Sequence, residues 1–170
     1  MIGNLKRTGM FKTPQPAIDV EQLYRESRQT LTTYFVRRHR SPHVAEDLLQ
    51  ETFLRLMRRM HQCRLAPSPK GYLFGIARHV SVDTWRRARP AAAENTVVES
   101  IEAPQSDQRL AEAREIIAAL PPLQREILDL RFQHDLSYAE IAEALGIPIG
   151  TVRSRLHGAL QILREKMEQE

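Results

Sequence analysis

The sequence predicts an all-α chain: two small helical domains joined by a flexible acidic linker, the second containing a helix-turn-helix. Three observations carry that expectation. Apolar residues recur at intervals of three and four, and no alternating run bounded by hairpin signals marks a strand. Residues 91–108, AAAENTVVESIEAPQSDQ, have few large apolar groups, a proline, and four acids without a base, which is linker composition. In SYAEIAEALGIPIGTVRSRLHGALQIL, Ser137 to Leu163, two short amphipathic segments meet at Gly146 and Pro148. The expected limits are an N-terminal tail at 1–18, a first domain at 19–90, the linker at 91–108 and a second domain at 109–170.

Asp19 can cap a helix running to about His39, with Leu23, Tyr24, Leu31, Tyr34 and Phe35 along one side. Ser41 followed by Pro42 is a second start signal. The hydroxyl caps free amides, and the proline occupies the first turn, where its missing N–H costs nothing. That helix should reach about Met60. It buries Val44, Ala45, Leu48, Leu49, Phe53, Leu56 and Met60 and leaves Glu46, Asp47, Gln50, Glu51, Arg58 and Arg59 toward solvent. After a loop from His61 to Ser68, Ser68 and Pro69 repeat the signal. Tyr72, Leu73, Ile76, Ala77, Val80, Val82 and Trp85 then supply the apolar side of a third long helix ending in RRAR.

In the second domain a helix from Asp107 to Ala119 stops at LPP, whose prolines open another carrying Leu123, Ile127, Leu128, Leu130 and Phe132. Ser137 with Glu140 three residues on is a capping box. Ile141, Ala144 and Leu145 face inward, Gly146 suits a left-handed C-terminal position, and Pro148 suits the first turn of the last helix. There Val152, Leu156, Leu160 and Leu163 form the buried stripe, which leaves Arg153, Ser154, Arg155, His157 and Gln161 outside.

Composition narrows the function. The chain has 170 residues, 42% of them hydrophobic, and no run near the ~20 apolar residues that span a bilayer. Met1 to Pro16 lacks the apolar stretch of a secretory signal, so a cytoplasmic protein without membrane insertion is expected. Cys63, the one cysteine, can make neither an internal disulfide nor a cysteine-based metal site and reads as an incidental loop or half-buried thiol. The net charge of +4 hides an uneven distribution. Residues 20–90 hold fourteen Lys and Arg against six acids, whereas residues 109–170 hold eight against ten. A basic domain, and a second domain whose arginines gather on the face that would enter a major groove, point to a polyanion bound at two places. Catalysis is not expected, nor a cofactor or a metal. Glu46, Asp47 and Glu51 resemble a carboxylate cluster, but no histidine joins them, no glycine-rich phosphate loop exists, and the histidines are scattered. A simple helix-turn-helix repressor would leave the basic first domain and its Asp47, Gln50 and Glu51 face without a purpose.

Three stretches occur in order: AEDLLQETFLRLMRR, PKGYLFGIARHVSVDTWRR, and LPPLQREILDLRF followed by LSYAEIAEALGIPIGTVRSRLHGAL. Together they resemble the extracytoplasmic-function sigma factors, the small two-domain class of bacterial transcription initiation factor, over nearly everything after residue 20. The resemblance implies that Asp47, Gln50, Glu51 and Met57 grip a coiled coil of the core polymerase β′ subunit, and it makes the β flap a further partner. It implies a minus-ten surface in the loop His61 to Ser68 and the following helix, with Arg64, Tyr72, Phe74, Arg78 and His79 around an unstacked base. Arg86, Arg87 and Arg89 would meet phosphates there. Many members carry Trp near Tyr72 and Asn in place of His79. A minus-thirty-five surface would use Thr151, Arg153, Ser154, Arg155, His157 and Gln161. Arg153, near the helix start, is expected to read bases, and Arg155, about 200° around the helix, to meet the backbone. An anti-sigma factor docking between the domains is implied as well. A decoy that bound only the anti-sigma factor would have no need of the recognition arginines.

Overall fold

The computed structural model describes residues 18–88 and 108–168, which form eight helices. These are α1 (Val20–His39), α2 (Pro42–Arg58), α3 (Met60–Leu65), α4 (Pro69–Ala88), α5 (Gln108–Ala119), α6 (Pro122–Phe132), α7 (Tyr138–Leu145) and α8 (Ile149–Glu168). The starts are made by the expected side chains. The Asp19 carboxylate accepts from the amides of Glu21 and Gln22 at 2.9 and 3.1 Å, Ser41 Oγ from that of Val44 at 3.3 Å, and Ser68 Oγ from that of Gly71 at 3.0 Å. The capping box of α7 is complete, with Ser137 Oγ accepting from the Glu140 amide at 3.3 Å and Glu140 Oε2 accepting from the Ser137 amide at 2.7 Å. Gly146 ends that helix at φ 64°, where a side chain would be strained. Ser137→Ala is therefore expected to lower stability by about 1 kcal/mol, read as a fall in the urea midpoint at unchanged slope.

Some elements differ from the sequence expectation. Arg59 leaves helical geometry (φ −117°, ψ 24°), so α2 stops at Arg58 and the expected loop restarts as α3, which carries Cys63 into the core. That thiol is fully buried, and burial pushes its pKa up. On α8 the buried residues are Val152, Leu156 and Ala159; Leu160 is exposed because it lies one 100° step beyond Ala159. Phe132, at the last turn of α6, is exposed too. Tyr24 is only partly covered, its ring meeting Phe53 edge-on at 4.8 Å.

α1, α2 and α4 pack on one another, and α5, α6 and α7 pack around α8. The two groups are not separate compact bodies. α4 lies directly on α7, and one apolar core runs through both. Gly71 and Gly75, four residues apart on one face of α4, permit this approach. A Cβ on Gly71 would stand 2.7 Å from the Glu140 carbonyl oxygen and 2.8 Å from Glu143 Cβ; one on Gly75 would stand 3.2 Å from the Ala144 carbonyl oxygen. Tyr34 meets Phe74 and His134 edge-on at 6.1 and 5.4 Å, so side chains of both halves close the middle of the core. The expected tail up to residue 17, and all but the last residue of the expected linker, lie outside the described residues.

His39 packs beside Trp85 (5.8 Å between ring centroids), with Nε2 2.8 Å from Ser81 Oγ. Burial, then the Arg38 charge, lowers its pKa below 6.5, so the fold accommodates neutral imidazole. A depressed folded pKa contributes stability that is full above pH 6.5 and lost as pH falls through the folded value. Thermal melts should show Tm declining as pH falls below about 6.5, and His39→Gln should flatten that decline.

Candidate nucleic-acid interface

The charge-bearing side chains form three surfaces. On α2 the start at Ser41 and Pro42 fixes which residues point outward. Asp47, Gln50, Leu54 and Met57, at spacings of three, four and three, make one exposed ridge, with Leu54 45% and Met57 52% exposed. Leu54 escaped the sequence reading; its signal is an apolar residue off the buried stripe. An apolar ridge rimmed by Asp and Gln suits a protein partner. Glu51, expected beside them, is half-buried and engaged. It accepts from Arg55 Nε at 2.7 Å, and Arg55 Nη1 donates to Asp83 on α4 at 2.9 Å. The Arg55 hydrogen bond holds the Asp83 carboxyl below its ordinary range, so this pair fastens α2 to α4.

α3 and α4 carry the second surface. Arg64, His79, Arg86 and Arg87 are exposed, and His79 Nδ1 lies 2.7 Å from the Gly75 carbonyl. Arg89 lies outside the described residues. Tyr72 is half-buried against the core, and Phe74, 1% exposed, lies wholly within it. Phe74 therefore presents no face to DNA in this arrangement. The resemblance alone implies a DNA contact for Phe74, whereas in the fold α4 is covered on a second side by α7 and the ring lies under it. Arg78 Nε donates to Glu126 of α6 at 2.9 Å. The neighbouring Arg38 guanidinium lies 4.4 Å over the Tyr34 ring, 3.5 Å from Glu126 and 3.9 Å from Asp129. Lys70 Nζ is 3.6 Å from Glu140, and Arg37 Nη1 donates to Gln133 at 2.9 Å. Burial tends to raise the Asp129 pKa, but His134, Arg38 and Arg37 outweigh it and hold the carboxyl low. The contacts of Glu126 and Glu140 with the first half, and the close approach at the two glycines, were missed. Gly71 and Gly75 were the available signal, a small-residue pair at a spacing that puts both on one helix face.

The third surface is the outer side of α8. Val152, Leu156 and Ala159 anchor the helix, so Arg153, Ser154, Arg155, His157 and Gln161 are all exposed and Thr151 is half-exposed. Ser154 Oγ donates to the Thr151 carbonyl at 3.1 Å, and Gln161 Nε2 donates to Glu165 at 2.8 Å. Arg153, Arg155 and His157 make no ion pair among the described residues, which leaves two cations and an imidazole at the first turns of a helix presented by a tight turn. No group of His, Cys, Asp and Glu among the described residues could hold a metal ion, and no helix among them is long and apolar enough to cross a membrane.

Comparison with known proteins gives two family matches, Sigma-70 region 2 over residues 23–90 and Sigma-70, region 4 over residues 110–163. The chain is 30% identical over 168 residues to the RNA polymerase sigma factor HrpL of Pseudomonas syringae pv. syringae, covering 92% of this chain and 91% of that one. It is 37% identical over 125 residues to the ECF RNA polymerase sigma factor SigC of Mycobacterium tuberculosis, covering 70% and 68%. Its fold is similar to that of the sigma factor RpoE from Bartonella quintana, solved with the anti-sigma factor NepR, at TM-score 0.57 and 22% identity over 87% of this chain and 98% of that one.

Proposed function

The chain belongs to the sigma-70 family, as an extracytoplasmic-function RNA polymerase sigma factor, and from that premise we propose how its three surfaces divide the work. A sigma factor binds core RNA polymerase and directs it to promoters at the minus-ten and minus-thirty-five elements; it is an initiation factor and supplies no reaction of its own. The α2 ridge of Asp47, Gln50, Leu54 and Met57 docks the β′ coiled coil, with Glu51 bracing the ridge from below through Arg55. Arg64, Tyr72, Arg78 and His79 receive the unstacked minus-ten strand, while Arg86 and Arg87 meet its phosphates. Thr151, Arg153, Ser154, Arg155, His157 and Gln161 enter the major groove of the minus-thirty-five element. The β flap contacts the second half. The protein acts in the cytoplasm, where polymerase and DNA are, under an anti-sigma factor.

One observation supports this division above the rest: within a half whose net charge is +8, α2 turns out an acid, an amide and two large apolar side chains, a surface with no use for DNA. Binding of the fluorescently labelled chain to purified bacterial core polymerase tests it. Saturable binding with loss on Met57→Glu is expected, since a charge placed in the centre of an apolar contact is left unpaired when desolvated. Binding indifferent to Met57→Glu would move the docking surface elsewhere.

A further inference from the structure

The α2 ridge and the α8 recognition face are both open, but on the minus-ten side of α4 only His79, Arg86 and Arg87 are exposed, and the part made by Phe74 and Arg78 is closed. Phe74 is in the core against Tyr34 and His134, Gly71 and Gly75 lie against α7, and Arg78 is held by Glu126. The groups that hold it are of one sign. Glu126, Asp129 and Glu140 all come from the acidic half, and they stand on Arg38, Arg78 and Lys70 of the basic half. Glu126 is shared by two guanidiniums, and its side chain is 15% exposed, so this contact is screened far less than a surface pair. A carboxylate and a phosphate offer a guanidinium the same acceptor geometry, and Arg78 cannot satisfy both at once.

We infer that Glu126 latches a self-occluded state, in which the second half lies over the minus-ten side of α4 and its carboxylates stand where promoter phosphates would. This rests on the assignment of α4 as the minus-ten surface. DNA gains the Phe74 and Arg78 part of that surface only when α4 and α7 part, whereas the α2 ridge stays available throughout. The free chain can therefore dock polymerase while shut. A binding-competent state populated one-tenth of the time weakens apparent affinity about tenfold, and removing the latch restores that factor.

Two substitutions open the contact by different means. Gly71→Leu changes no charge but drives a side chain into the α7 backbone, and Glu126→Gln removes the charge that holds Arg78 and weakens the hold on Arg38 with almost no change of shape. Fluorophores on Glu46→Cys and Lys166→Cys, exposed positions on α2 and α8, report the separation of the halves in the full-length chain. Anisotropy with single-stranded DNA of mixed sequence reports access to α4. Both variants should lengthen the label distance and tighten DNA binding about tenfold over the latched parent chain. Exposed Glu115→Gln, which removes the same charge away from the contact, should do neither. If Gly71→Leu loses helicity by circular dichroism, Glu126→Gln against Glu115→Gln decides. Unchanged label distance overturns the latch, and a longer distance without tighter binding overturns occlusion. Promoter-directed transcription by the parent chain with core polymerase is a separate readout. Its failure would strike the sigma-factor reading, while a chain that transcribes but never closes strikes only the latch.

Discussion

Alanine at Asp47, Gln50 and Met57 together is expected to abolish co-purification with core RNA polymerase while leaving the helical circular dichroism signal intact. The three side chains are exposed on one ridge of α2 and contribute nothing to the core beneath, which is built from Ala45, Leu48, Leu49, Phe53 and Leu56. Anchor residues at the centre of an interface each cost roughly 2 kcal/mol or more on truncation, so the triple change should weaken binding by well over 100-fold even if the effects fall short of additive. Glu51→Ala is expected to behave differently. It removes one of two acceptors from Arg55 and slackens the tie to Asp83, so it should lower Tm and affect docking only modestly. If the triple variant still co-purifies with polymerase, α2 is not the docking helix.

Arg153→Ala is expected to relax base preference at one or two positions of the minus-thirty-five element, and Arg155→Ala to weaken all promoters about equally. Both side chains are exposed at the start of α8, but they are separated by about 200° of helix, so one helix pose cannot aim both at base edges. A bidentate arginine on guanine discriminates by roughly 1 to 3 kcal/mol, which is about a 5- to 150-fold preference, while a phosphate contact carries affinity without sequence information. Selection from randomised duplexes with polymerase holoenzyme separates the two. An unchanged sequence logo for the Arg153 variant would show that this residue does not read bases. The Arg155 variant should also show a salt slope reduced by about one unit.

Local signals in the chain were strong wherever a side chain caps or a period repeats. Asp19, Ser41, Ser68 and Ser137 each start a helix with the side-chain bond their chemistry predicts, and Gly146 takes the left-handed turn that separates α7 from α8. The outward face of α8 was legible because Val152 and Leu156 fix its rotation. Contacts between distant segments were not legible. Glu126 reads as an ordinary exposed acid on an amphipathic helix, and nothing within α6 reveals that Arg38 and Arg78 will meet it. The burial of Phe74 is illegible for the same reason: nothing in α4 shows that α7 will cover its second apolar side. Helical spacing puts Glu51 on the outer side of α2, and only the fold shows Arg55 bridging it to Asp83.

Transcription in vitro from a library of random promoters, with purified core polymerase and this chain as the only sigma factor, tests the central claim most directly. The account predicts transcripts that depend on the chain and start at a fixed distance downstream of two enriched elements held at constant spacing, with the upstream element altered by Arg153→Ala. Transcripts absent, or present without any enriched pair of elements, would contradict it.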